Sequence, residues 1–230
     1  GNIIILMYHD FREGSLSETD DSAYVTTDIK FREDVNKLFF MGYESLNLEM
    51  LYNGDYDPKQ NYFIITVDDG YLSNYEILFP ILLEMDIYAD IFMCTEETVR
   101  KNHFQYSEGK KMESSGLVKI YSHLTTHIDA LSISLETFTR LTDKSYNYLN
   151  KKLSDDRLPI FAYPHGSYSR ETVELLYDKG TVFQMVQTAI DVCNDDWNPT
   201  DYGILYRVNV EYDVDMMELA EYYISQYCDR

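Results

Sequence analysis

Two carboxylates stand side by side in Thr66-Val67-Asp68-Asp69-Gly70-Tyr71, at the end of the strand-like run Tyr62–Val67. Carboxylates this close raise one another's pKa unless a cation is near. Gly70 permits a sharp exit that points both toward the strand end, although Asp-Gly is also an ordinary turn dipeptide. In Ser122-His123-Leu124-Thr125-Thr126-His127 the two histidines are four residues apart. A helical turn there would put both imidazoles on one face, where they can share a metal. The zincin pattern is excluded, because Leu124 stands where it requires Glu. With Asp69 the set becomes two histidines and a carboxylate, leaving a position open for water, as in catalytic zinc sites. Non-haem iron oxygenases use the same set. Against an oxygenase, Asp68 is placed beside the set as a base, and no residues for a redox cosubstrate are visible. A third segment, Phe161-Ala162-Tyr163-Pro164-His165-Gly166-Ser167-Tyr168, also follows a strand-like run. Pro164 and Gly166 fix a turn whose N–H groups can face a ligand, with a plain surface loop as the alternative.

The elements that must hold these segments alternate in type. Ile3–Tyr8, Tyr62–Val67, Tyr88–Met93, Leu117–Tyr121, Pro159–Tyr163, Val182–Val186 and Ile204–Val210 read as buried strands, rich in β-branched and aromatic residues. Between them lie helical patterns: Phe31, Val35, Leu38 and Phe39; Ile77, Leu78, Ile81 and Leu82 with Pro80 near the first turn; Leu135–Leu153; Glu171–Asp178. A last helix opens at Asp215 with Glu218 three residues on. Buried strands separated by helices imply parallel pairing with right-handed crossovers. A (β/α) barrel and an open doubly wound sheet both satisfy this, and both put functional residues at the C-terminal ends of strands.

The 230 residues form one expected domain, 1–230, with 45% hydrophobic residues for its core. A formal net charge of −21 repels nucleic acid and anionic membranes and suits a neutral or cationic substrate. The longest apolar run, Ile77–Leu83, is far too short to span a bilayer. No signal peptide is visible, and the chain starts Gly1-Asn2 rather than with Met, compatible with a removed leader or anchor. Cys94, Cys193 and Cys228 have no metal-like spacing and are too few for a disulfide framework. The 22 tyrosines suit both a core and stacking on sugar rings. His103, between Lys101 and Lys110, reads as a solvated loop residue.

Taken in order, Thr66-Val67-Asp68-Asp69-Gly70, Ser122-His123-Leu124-Thr125-Thr126-His127 and Tyr163-Pro164-His165-Gly166 resemble the motifs of the polysaccharide deacetylases that share the NodB-homology domain, carbohydrate esterase family four. Ile5-Leu6-Met7-Tyr8-His9 and Phe161-Ala162-Tyr163-Pro164 are most similar to the branch acting on poly-β-1,6-N-acetylglucosamine. The resemblance implies an α/β fold, a distorted (β/α) barrel, and hydrolysis of the acetamide of N-acetylglucosamine residues in an N-acetylated polysaccharide or oligosaccharide. It also implies a place in the cell envelope or outside the cell. Asp69, His123 and His127 match the metal ligands, Asp68 the general base, and the backbone N–H of His165 part of an oxyanion hole. Tyr163, Pro164, His165 and Gly166 then border the substrate. The metal expected is zinc, with nickel, cobalt and iron suiting the same donors.

Two positions depart from the family pattern. Ala162 stands where an Arg steadies the base, and Arg207, in Leu205-Tyr206-Arg207, stands where a His is the general acid. Arg cannot release a proton near neutral pH. Met7-Tyr8-His9 resembles the missing closing strand, and in a closed barrel the first and last strands are neighbours. His9 is therefore expected to be the acid and Arg207 to supply the charge near Asp68. Asn194-Asp195-Asp196-Trp197 is similar to the family's Asp-Trp motif, which makes Trp197 a candidate substrate contact. The same departures keep open a different class of function, a carbohydrate-binding or regulatory module with a degenerate site. The sequence leaves the oligomeric state open.

Overall fold

The computed structural model describes residues 1–154, 156–187 and 197–227. Its strands are β1 (Ile3–Tyr8), β2 (Asp10–Arg12), β3 (Val25–Thr27), β4 (Tyr43–Leu46), β5 (Asn61–Asp69), β6 (Ala89–Met93), β7 (Val118–Ser122), β8 (Ile160–Ala162), β9 (Phe183–Val186), β10 (Ile204–Tyr206) and β11 (Val208–Asn209). Its helices are α1 (Asp28–Phe40), α2 (Leu48–Asn53), α3 (Phe79–Met85), α4 (Tyr106–Ser114), α5 (Leu135–Lys152), α6 (Arg170–Asp178) and α7 (Met216–Tyr227).

Pairing between these strands is parallel. The main sheet runs β10-β9-β8-β7-β6-β5-β1-β11. Its two ends belong to one stretch of chain, because only Arg207 separates β10 from β11. The Arg207 N–H donates to the Val186 carbonyl of β9, and the Val210 N–H donates to the Met7 carbonyl of β1. The sheet therefore curls into a nearly closed barrel, the alternative to an open doubly wound sheet. β4 pairs with the first half of β5 and β6 with the second half. A separate ribbon, β2 with β3, carries the chain over the barrel mouth.

Alternation of side chains divides each strand between two faces. Ile5, Ile64, Phe92, Tyr121, Ile160, Ala162 and Met185 form one cluster, drawn from strands all round the barrel. Their neighbours Ile4, Phe63, Ile65, Ile91 and Ile120 pack outward against the helices. Those helices start where side chains can accept the first unpaired N–H groups. Thr27 caps α1 through Lys30, Ser134 caps α5 through Thr137, and Ser169 caps α6 in a reciprocal box with Thr172. Asp215 accepts from the N–H groups of Met217 and Glu218 at the start of α7. Among the described residues no helix is long and apolar enough to cross a membrane.

One inner-face residue is charged in type yet lies deep below the mouth. Asp90 shares the inner face of β6 with Phe92 and is fully buried. Its Oδ2 accepts from the Leu48 N–H at 2.9 Å, at the start of α2, while Oδ1 has no partner. Burial raises its pKa to about 8, and Glu49 adds to the effect. In the unfolded chain an Asp titrates near about 3.9. Between those two values only the folded protein holds the proton, so stability falls as pH rises through this window. Asp90→Asn keeps an acceptor for Leu48 and removes the titration. The fall in melting temperature between pH 5 and pH 8 should then be smaller in the variant than in the wild type; parallel profiles would contradict this.

Candidate active site

The inner face of β5 continues upward from Ile64 to Thr66 and Asp68, so the barrel's own periodicity delivers one carboxylate to the mouth. Asp68 is 2% exposed and meets Arg207, also 2% exposed, across the barrel. The guanidinium donates to both oxygens, Nη1 to Oδ1 at 2.6 Å and Nη2 to Oδ2 at 2.7 Å. Nη1 also reaches Thr66 Oγ1 at 3.2 Å, and that hydroxyl donates to the Leu6 carbonyl. Burial pushes the Asp68 carboxyl up, but Arg207 and His123 outweigh it and hold it below the ordinary value. Arg207 thus supplies the charge beside Asp68 that Ala162 cannot.

Asp69 turns away from that alternation because its backbone is left-handed, with φ 75°. Such a conformation costs a non-glycine residue about 1–3 kcal/mol and is found at functional sites. Gly70 follows with φ 82°, and a Cβ there would meet Met93 Cβ at 3.0 Å. The chain exits the strand sharply, as the sequence requires.

His123 and His127 converge by a different route from the helical turn expected. Ser122 ends β7, and residues 123–129 form an irregular loop. Leu124 has φ 69° and is fully buried. Ser122 and Ser145 Oγ atoms share a hydrogen bond of 2.7 Å; Ser122 also accepts from the Leu124 N–H, and Ser145 donates to the Leu124 carbonyl. This network bends the loop so that both rings face Asp69. His123 Nδ1 pairs with the Ala162 carbonyl at 2.9 Å, which turns Nε2 toward the mouth.

The resulting cluster fits a cation. Nε2 of His123 and Nε2 of His127 each lie 3.4 Å from Asp69 Oδ1. One donor atom from each residue lies within 4.8 Å of the others. Asp69 Oδ1 is buried without a hydrogen-bond partner. Burial and then His123 lower the His127 pKa to about 4, so that ring keeps its lone pair at neutral pH. The backbone carbonyl behind His123 is the kind of outer partner that orients a metal-ligating imidazole.

The cluster lies in a cleft of about 870 Å³ that also receives His9, Asp10, Tyr24, Tyr71, His103 and His165. His9 follows Met7 on the inner face of β1, next to the strand that brings Arg207. Its ring stands edge-on to Tyr24 with centroids 5.0 Å apart, and its buried Nδ1 has no hydrogen-bond partner. Burial lowers its pKa against the opposing pull of Asp68 and Asp69. Tyr163, His165 and Gly166 border the cleft, and Pro164 turns the chain between them. The His165 ring packs edge-on to His127 at 4.2 Å, a side-chain contact that the backbone role expected for it did not include.

Two expectations are corrected. His103 is a wall of the cleft, 7% exposed, rather than a solvated residue. A backbone bridge with Tyr71 and a ring contact of 5.0 Å fold it inward, and the chemistry of its sequence neighbours gave no sign of this. Trp197 is not among the cleft residues: it is 6% exposed in an outer cluster with Tyr202. The rest of its motif, Asn194, Asp195 and Asp196, lies outside the described residues, as do Cys193 and Cys228. Tyr71, which lines the cleft beside Asp69, was visible only as the residue after Asp-Asp-Gly.

The sequence pattern described as Polysaccharide deacetylase matches residues 55–183, more than half of the chain. The chain belongs to the polysaccharide deacetylase family. The match contains Asp68, Asp69, His123, His127 and Tyr163–Gly166 and leaves out His9 and Arg207. A Bacillus subtilis protein named for this family, YxkH, is 28% identical over 177 residues, covering 74% of this chain. The chain spans 59% of the length of that relative. Among solved structures, the Streptococcus pyogenes deacetylase PplD in complex with acetate superposes with a TM-score of 0.81 at 23% identity, covering 95% of this chain and 96% of that one. IcaB from Ammonifex degensii gives 0.78 at 21%, covering 96% of each. These two likenesses are of fold.

The buried Asp68–Arg207 pair supplies a stability test. Removing one partner of such a pair leaves an uncompensated charge and costs about 3–5 kcal/mol, whereas replacing both by apolar groups is often close to neutral. Arg207→Met should therefore lose about 3–5 kcal/mol in chemical denaturation, and adding Asp68→Leu should recover much of it. A loss below about 1 kcal/mol in the single variant would contradict the buried-pair account.

Proposed function

We propose that this chain, as one domain over 1–230, is a metal-dependent N-deacetylase that hydrolyses the acetamide of N-acetylglucosamine residues in a polysaccharide. The observation that carries this reading is the convergence of Asp69, His123 and His127 beside an ionised Asp68 clamped by Arg207. The three donors would hold a divalent cation, zinc in the first instance. When bound, such an ion polarises the acetyl carbonyl and eases deprotonation of water near neutral pH.

The remaining roles fall to the chain itself. Asp68 takes a proton from the attacking water; Arg207 fixes its plane and keeps it charged for that task. The tight turn Tyr163–Gly166 turns the His165 N–H toward the oxyanion that develops on the carbonyl, a contribution often worth several kcal/mol. His9 gives a proton to the departing sugar amine, so that acetate and a free amine leave. Acetate bound in PplD, a structural neighbour, accords with the product. Family membership supports an acetylated polysaccharide as the substrate, and a location in the cell envelope or outside the cell suits such a substrate.

A binding module with a degenerate site was attractive because Ala162 and Arg207 depart from the family pattern. The Asp68–Arg207 geometry speaks against that module, since Asp68 has a cationic partner from the closing segment of the barrel. The purified chain should release acetate from N-acetylglucosamine oligomers; a chelator should abolish this and added zinc restore it. Binding of oligomers without acetate release, at any metal tested, would overturn the enzyme in favour of the module. His9→Ala should lower turnover by about 10²- to 10⁴-fold while metal uptake, read by equilibrium dialysis, stays at the wild-type stoichiometry. Undiminished turnover would remove His9 from the reaction.

A further inference from the structure

A polar side chain stands on an apolar helix face behind the cleft. Asn74 opens a π-helical turn, Asn74–Leu78, that runs into α3, and it shares the buried side of this stretch with Leu78, Ile81 and Leu82. It is 0% exposed, and a buried amide is unfavourable unless its polar atoms find partners. This one is half satisfied. Its Nδ2 donates to the His9 carbonyl at 2.8 Å, while Oδ1 has no hydrogen-bond partner among the described residues. A leucine has nearly the same branched shape and would leave no acceptor unpaired, so packing gives no reason for the amide. A π-helical turn is itself frequent at functional sites, and the one contact this amide makes leads to the cleft.

His9 is the single residue between β1 and β2, and little holds its ring. Nδ1 is buried without a hydrogen-bond partner among the described residues, and the ring meets Tyr24 only edge-on. Its direction is therefore set by the main chain that carries it. Ser73 and Asn74 grip that stretch at three successive residues. Asn74 holds the His9 carbonyl, Ser73 Oγ donates to Asp10 Oδ1 at 2.5 Å, and the same Oγ accepts from the Phe11 N–H at 3.1 Å. Asn74 lies only five residues beyond Asp69, and its own N–H donates to the Tyr71 carbonyl at 3.0 Å. One short segment thus ties the carboxylates at the end of β5 to the backbone of His9. We propose that Asn74 is a positioning residue that aims His9, so that the ring can pass its proton to the amine nitrogen as the C–N bond breaks. The inference rests on the deacetylase reading and on His9 as its proton donor. Asn74 acts through the His9 main chain and is no part of the surface that meets substrate.

The test compares two substrates on the zinc-loaded chain. N-acetylglucosamine oligomers have an amine that needs a proton to leave, whereas 4-nitrophenyl acetate has a phenolate that leaves without one. Asn74→Leu keeps the shape of the side chain and removes the donor. It should lower oligomer turnover by about 10²-fold and ester turnover by less than about tenfold, with metal uptake in equilibrium dialysis at the wild-type stoichiometry. In a His9→Ala background the same substitution should change oligomer turnover by no more than about twofold, because the group it aims is gone. An equal fall on both substrates, or a full further loss in the His9→Ala background, would make Asn74 a structural residue and overturn the proposal. Melting temperatures accompany each variant. Asn74→Ala replaces Asn74→Leu if the latter does not fold, and failure of both to fold would overturn the proposal as well. Two other failures are distinguishable from these. His9→Ala that lowers both substrates alike would remove His9 as the donor, and the inference with it. A wild-type chain that releases acetate from neither substrate would overturn the deacetylase reading itself.

Discussion

Arg207 occupies the one position in the segment Ile204–Asn209 where the chain changes partner, from β9 to β1. A guanidinium at that seam would be costly to bury alone. Both oxygens of Asp68 receive it, and Thr66 and the Phe92 ring complete its surroundings. The same contact therefore ties the closing segment of the barrel to β5 and fixes the plane of the carboxylate at the mouth. Barrel closure and the orientation of Asp68 share one ion pair.

Asp68 and Asp90 illustrate how far surroundings, rather than residue type, set behaviour in this barrel. Both point inward and both are buried, on adjacent strands whose register pairs Thr66 with Asp90. Asp68, with a bidentate cation, is held below the ordinary carboxylate range. Asp90, with a single backbone N–H as its donor, is pushed up to about 8. The charge available for chemistry is thus confined to the top of the barrel interior, and the lower layer is neutral through the middle of the pH range. The carboxylate at the mouth stays ionised because an arginine, rather than a lone amide, faces it, as the proposed role of proton acceptor requires.

Legibility in the sequence followed the strength of local patterns. β1, β5 and α5 are long and strongly patterned, and they lie where the pattern puts them. β4, Tyr43–Leu46, has apolar side chains only at its ends, and its pairing is set by β5 rather than by its own composition. α4, Tyr106–Ser114, is mostly polar and buries only Gly109 and Met112, so it carries no apolar stripe to read. At the site, the carboxylate pair and the two histidines were legible because the residue types themselves are chemical. Their convergence was not: the histidine pair meets Asp69 through a left-handed Leu124 held by two serines, a tertiary arrangement that spacing cannot encode. His103 escaped for the same reason, since its burial depends on a bridge to Tyr71.

The family pattern spans the middle of the chain, and His9 and Arg207 lie beyond its ends. In an open sheet, moving a functional group from the last strand to the first would carry it to the opposite edge. In this barrel the first strand and the closing segment are hydrogen-bonded neighbours, with Leu6 opposite Val208 and Met7 opposite Asn209. A side chain transferred between them moves by about one interstrand spacing, about 4.8 Å. That distance is within what one rotamer change of a long side chain can span. The ring topology therefore accommodates the proposed acid, His9, at the end of the first strand while the carboxylates and histidines of the middle strands stay where they are. Ala162 offers Asp68 no side chain, and its carbonyl pairs with the His123 ring.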